Sequence, residues 1–270
     1  MKTPDFRKPA GPRGFTLVEV LISMTIVTMT MGMALSTYLF CLRTMYKDTQ
    51  RLATNASLRS FMAQISKETL NASYFYLFPY YTKLDGSVNL TTDPAALDQN
   101  ADFDDAAFDK WVAHGDCLVL VTKTAQYRTT DIRQIRIYYR VTTNQTSVNA
   151  EAPVRYYETA DWGEDDGTED HGSNGHPASN LASELNNINL NSNPNRAGSK
   201  QLAARSKGRA VPSPYTGYTA GDLYPIFSSE SPTQSLTNGF ISINVEFING
   251  STTNNLLSSS SFNYTISPRR

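Results

Sequence analysis

From Val20 to Leu42 the chain carries no charged residue over 23 positions. An α-helix needs roughly 20 apolar residues to cross a hydrocarbon core, so this run predicts one transmembrane helix, placed at 15–42. Ser23, Thr25, Thr28, Thr30, Gly32, Ser36 and Thr37 interrupt it. A permanent anchor is usually richer in Leu and Ile. The oddity is Glu19, five positions into the apolar stretch that opens at Phe15. An acid inside a bilayer is costly, so a segment that serves only as an anchor should not keep one.

Charge orients the span. The net charge of −1 over 270 residues points to no partner class. Residues 1–14, however, hold Lys2, Arg7, Lys8 and Arg13 against Asp5 alone. A basic cluster directly before an apolar run stays cytoplasmic under the positive-inside rule, which sends the rest of the chain outward. No small-residue cleavage site follows Leu42, so the apolar segment is retained rather than removed as a signal peptide. Two cysteines, Cys41 and Cys117, set no disulfide framework and are expected to be free.

Beyond Leu42 the helical period continues over 43–73. Leu42, Met45, Tyr46, Leu52, Ala53 and Ala56, then Leu58, Phe61, Met62, Ile65 and Leu70, recur at three- and four-residue steps with a phase slip near 56–58. No proline intervenes, and an unbroken helix from Phe15 to Ala72 measures about 87 Å. Gly32 is its soft point, at a cost of about 1 kcal/mol.

Residues 74–270 change period. "YFYLFPYY" (74–81), "DCLVLVTKT" (116–124), "IRQIRIYYRVT" (132–142), "PVRYYET" (153–159), "GFISINVEFI" (239–248) and "FNYTIS" (262–267) alternate and favour β-branched and aromatic residues, as strands do. Within 132–142 the isoleucines, Tyr139 and Val141 tend to one side, and Arg133, Arg136 and Arg140 to the other, which predicts one buried and one solvated face. The fold class that follows is α+β, a long N-terminal helix packed on an antiparallel sheet. Residues 83–110 are Asp-rich, with a helical turn or two expected around 94–112. Residues 160–221 are rich in Asn, Ser, Gly and Pro and are expected to form a flexible insert, with a short helix near 179–185.

Catalytic and metal motifs do not emerge. "DWGEDDGTEDHG" clusters acids but misses the EF-hand spacing, since Gly163 stands at the third ligand position and Asp166 where the glycine belongs. His171 and His176 have no nearby cysteine pair to complete a zinc site. Neither G-x-S-x-G nor G-x-x-x-x-G-K-[ST] occurs. The expectation is no enzyme, no cofactor, no metal and no nucleic-acid partner.

The N-terminal "RGFTLVEV" resembles the processing site of type IV prepilins and pseudopilins: a short basic leader, a glycine, a phenylalanine, a Thr-Leu pair and a glutamate fifth in the mature chain. The resemblance implies a leader, 1–14, with Arg13 at its end. It implies cleavage by prepilin peptidase between Gly14 and Phe15, and N-methylation of Phe15. Glu19 then becomes the assembly residue, facing the Phe15 amine of a neighbouring subunit. Implied partners are other pilins or pseudopilins, the peptidase, an inner-membrane assembly platform and membrane lipid. The implied location is the inner membrane, with a cytoplasmic N-terminus and a periplasmic domain, followed by the fibre of a type IV pilus or a type II secretion pseudopilus. Size and the stretch from "DCLVLVTK" to "VRYYET" are similar to minor subunits of the J-type pseudopilin or W-type pilin kind. The alternative reading is a single-span anchored periplasmic binding protein or enzyme.

Overall fold

The computed structural model describes residues 14–84, 111–123, 132–143, 150–162, 181–190, 192–208, 223, 225–231, 240–249 and 258–267. Arg13, the aspartates between 85 and 110, and the acidic run after Trp162 lie outside them. The chain forms two compact units, 1–49 and 50–270.

Helix α1 runs Leu17–Asn71 without interruption, 55 residues. In the first unit every described residue but the helix's own turns is open to solvent, from Gly14 to Thr49. Burial begins at Thr54 and continues through Leu58, Phe61, Met62, Ile65 and Thr69, spaced at helical steps. Leu52, Ala53 and Ala56 are exposed, and Leu70 largely so. At 100° per residue the buried positions form one continuous stripe, and Leu52, Ala53, Ala56 and Leu70 lie off it.

The sheet is antiparallel throughout. Its described strands are β1 (Tyr74–Phe78), β2 (Trp111–Gly115), β3 (Cys117–Lys123), β4 (Ile132–Arg140), β5 (Ala152–Glu158), β6 (Lys200–Gly208), β7 (Phe227–Ser231), β8 (Phe240–Asn249) and β9 (Ser258–Ile266). They run in the order β1-β3-β4-β5-β6-β8-β7-β2, with β9 added to β8. β9 takes one edge of β8 along nearly its full length, while β6 and β7 share the other. The expected α+β class holds, as do the six strands read from the period. Only Asp116 separates β2 from β3, and a Cβ on Gly115 would stand 2.3 Å from the Phe78 carbonyl oxygen, so this tight passage requires glycine.

Phe61 anchors α1 to the sheet. Its ring meets Tyr138 edge-on at 6.0 Å and tilts against Phe247 at 5.4 Å. A fully buried side chain of this size contributes about 1.5–3 kcal/mol. Three sequence expectations need correction here. First, β4 has no solvated face. Tyr138 and Arg136 turn toward α1, while Tyr139 donates to the Pro194 carbonyl on the opposite side, at 2.6 Å, and Arg140 is wholly buried. Second, residues 181–208 are not a flexible insert. They form α2 (Leu181–Ile188), which buries Leu181, Leu185 and Ile188, and then β6, a strand inside the sheet. Asn189, at φ 54°, and Gly198, at φ 91°, make the left-handed turns between them, conformations that asparagine and glycine accept most readily. Third, Trp111 and Val112, at the end of the stretch 94–112 expected to hold helical turns, are strand and pair with β7; residues 94–110 lie outside the described residues.

Candidate functional site

The helix start is built by two residues. Leu17 opens α1, which puts Thr16 in the capping position. The Glu19 backbone N–H donates to Thr16 Oγ1 at 3.3 Å, and the Thr16 backbone N–H donates to Glu19 Oε2 at 2.9 Å. Thr16 Oγ1 also donates to Oε2, at 2.9 Å. This reciprocal arrangement is a capping box, which satisfies donors that a helix N-terminus otherwise leaves open. The carboxylate also sits favourably at the positive end of the helix dipole. Sequence reasoning explained Glu19 only through a neighbour and missed this intrachain role. The signal was present, since T-x-x-E before an apolar run is the pattern of such a box.

Both bonds from Thr16 land on Oε2. Oε1 accepts no hydrogen bond from the described residues, so the carboxylate caps its own helix with one oxygen and keeps the other open. Phe15, immediately before the cap, is 84% exposed. Gly14 has nothing within 4 Å of where a Cβ would stand, and its φ is not positive. Nothing in the packing of the described residues therefore requires glycine there.

Downstream, the helix satisfies most of its own side-chain hydroxyls. Ser23, Thr25, Thr28, Thr30 and Thr37 each donate their hydroxyl to a carbonyl three or four residues back, at 2.7–3.0 Å. A back-bonded hydroxyl is satisfied within the helix, and this lets a polar residue face hydrocarbon. The helix is long and apolar enough to cross a membrane, and none of its most apolar stretch is buried. Cys41 is exposed on this helix and Cys117 is buried in β3; both are free thiols, as expected.

Two polar clusters lie inside the second unit. Glu68 of α1 accepts from Tyr138 Oη at 2.6 Å and from Gln64 Nε2 at 3.1 Å. Tyr156 Oη lies 3.1 Å from Glu68 and 2.7 Å from Glu158, so its one proton is shared. Burial raises both phenols well above the ordinary tyrosine range, aided by Glu68 at Tyr138 and by Glu158 at Tyr156. The other cluster is Asp116 with Arg140, 3.2 Å apart and both fully buried. Asp116 also accepts from Thr142 Oγ1 at 2.6 Å and from the Ile226 N–H at 3.0 Å. Burial pushes the Asp116 carboxyl up and the Arg140 guanidinium down, each opposed by the other's charge. These clusters tie helix to sheet and strand to turn. Among the described residues, no group of three or more His, Cys, Asp or Glu is placed to hold a metal ion.

Compared with known protein families, residues 11–35 match the prokaryotic N-terminal methylation motif. No curated protein and no solved structure matches the chain.

Proposed function

We propose, from an N-terminal segment that is the one shared by type IV prepilins and pseudopilins, that this chain is a minor subunit of a type IV pilus or a type II secretion pseudopilus. Prepilin peptidase removes residues 1–14 and methylates the Phe15 amine. The span then holds the subunit in the inner membrane, with the β-rich unit on the periplasmic side, until an assembly platform draws it into the fibre beside other pilins or pseudopilins. The observation that carries this reading is the match at 11–35 falling on the start of an unburied, membrane-length helix whose first carboxylate keeps one oxygen open.

Glu19 thereby does two things. Oε2 closes the capping box with Thr16, and Oε1 receives the methylated Phe15 amine of the neighbouring subunit. A charge pair in low dielectric fixes a register, because a carboxylate left alone there is costly. Gly14 serves the peptidase rather than the fold, since its surroundings in this chain are empty.

Two substitutions separate the roles. Glu19→Gln keeps an oxygen for the capping box but loses the charge, whereas Glu19→Ala loses both. Cleavage should proceed in each, and each protein should accumulate in the membrane and be depleted from sheared fibres. Normal incorporation of Glu19→Gln would overturn the docking role. If only Glu19→Ala failed, Glu19 would be a helix cap alone.

A further inference from the structure

Arg43 and Lys47 follow the charge-free run directly. Both are exposed, and among the described residues neither has a hydrogen-bond or ion-pair partner. On a helix of 3.6 residues per turn Lys47 lies one turn beyond Arg43 and about 40° round the axis, so the two cations share a stripe. Asp48 lies about 140° round from Arg43, on another face. Tyr46, between them in sequence, is 50% exposed, and Tyr38 is 60% exposed. Tyrosine in this position is the mark of a membrane–water boundary.

Distance along the helix places the pair. About 36 Å of helix separates Glu19 from Arg43 at 1.5 Å per residue. This exceeds the hydrocarbon thickness of about 30 Å but falls within the 40–45 Å that includes both headgroup layers. With the helix start at Leu17 placed at one boundary, about 39 Å before Arg43 on the same rise, Arg43 and Lys47 stand among the phosphates of the other, where their long stems snorkel along the apolar surface.

The geometry points to Arg43 and Lys47 as a headgroup site that grips the phosphate of an anionic phospholipid at the end of the span opposite Glu19. Two cations without an internal counter-ion are matched by a lipid that brings net negative charge. A zwitterionic headgroup brings its own cation to the same place and gains less. This inference rests on the proposed processing for its consequence. Once residues 1–14 are removed, Lys2, Arg7, Lys8 and Arg13 are gone, and Arg43 and Lys47 are the basic side chains that still border the apolar run. Cleavage would then move the electrostatic anchor from the inner end of the span to the outer end.

The test uses the full chain in phosphatidylcholine vesicles that contain spin-labelled phosphatidylglycerol or spin-labelled phosphatidylcholine. The fraction of motionally restricted label reports which lipid the span selects. Wild-type protein should prefer phosphatidylglycerol. Arg43→Gln/Lys47→Gln should lose that preference by roughly fivefold per cation removed, the scale of a basic residue near an anionic surface. Arg43→Lys/Lys47→Arg should retain it. Equal selection of both lipids by wild type, or an unchanged preference in the glutamine variant, would overturn the site. Loss of the preference on adding inorganic phosphate, but not sodium chloride of equal ionic strength, would assign the pair to free phosphate and also overturn it. The vesicles hold no peptidase and the leader is constant in every arm, so these outcomes are independent of whether Gly14–Phe15 is cut.

Discussion

Arg140 is a fully buried guanidinium held by Asp116, and alternation along β4 gave no hint of it, because the counter-ion sits 24 residues earlier in the one-residue passage between β2 and β3. Removing one member strands the other in low dielectric. Arg140→Met should therefore cost about 3–5 kcal/mol, read as a shift of the denaturant midpoint in detergent, and Arg140→Met/Asp116→Asn should recover part of that loss. Gly115→Ala should also destabilise, by about 1–3 kcal/mol, since the neighbour it meets is backbone. Gly14→Leu should leave the melting transition unchanged while blocking processing, because its space is empty in this chain. Tyr138 and Tyr156 give a pH dependence. The unfolded phenols ionise near pH 10 and the folded ones stay protonated well above it, so the unfolded chain binds fewer protons over that interval. Stability is fully present below pH 10 and falls as pH rises, by about 1.4 kcal/mol per pH unit for each tyrosine. Tyr138→Phe should remove one tyrosine's share of that slope, while losing the bond to Glu68 at neutral pH. A slope equal to wild type in urea titrations from pH 9 to pH 12, taken as round settings about that ordinary phenol range, would show that Tyr138 is not held protonated.

At the scale of elements, period decided what could be read. The helix and six strands have apolar residues at regular steps, and each was legible. β6 was not, because full burial is confined to Ser206 and Gly208 and its apolar residues, Leu202, Ala203 and Ala204, are consecutive rather than alternating. Its place in the sheet comes from backbone pairing to β5 and β8 and from Ser206, which donates to the Ala152 carbonyl at 2.7 Å. β7, "FSSES", is short and hydroxyl-rich for the same outcome. The composition of 160–221 argued for an insert, but Leu181, Leu185, Ile188 and Leu190 are buried in the core cluster. Replacing residues 181–208 with a flexible linker should therefore abolish cooperative unfolding, since it removes those side chains and separates β5 from β8. A retained sharp transition, followed by Trp162 fluorescence, would mean that the sheet closes without β6.

Across the whole molecule the two units differ in where their apolar side chains go. The described residues of 50–270 bury most of their apolar side chains around a sheet. Residues 14–49 expose theirs, bond most of their serine and threonine hydroxyls back to the helix and begin with a capped helix, over a stretch long and apolar enough to cross a membrane. The family resemblance was legible because it lies in a short linear segment, and that segment is what matches at 11–35. The identity of the larger unit was not, since no compact motif marks it. The processing claim is tested most directly by mass spectrometry of the N-terminal peptide of the protein isolated from cells that contain prepilin peptidase. A peptide that begins at Phe15 and carries one methyl group on its amine is the expected result. A peptide that still begins at Met1, or an unmodified one that begins at any residue other than Phe15, would contradict it.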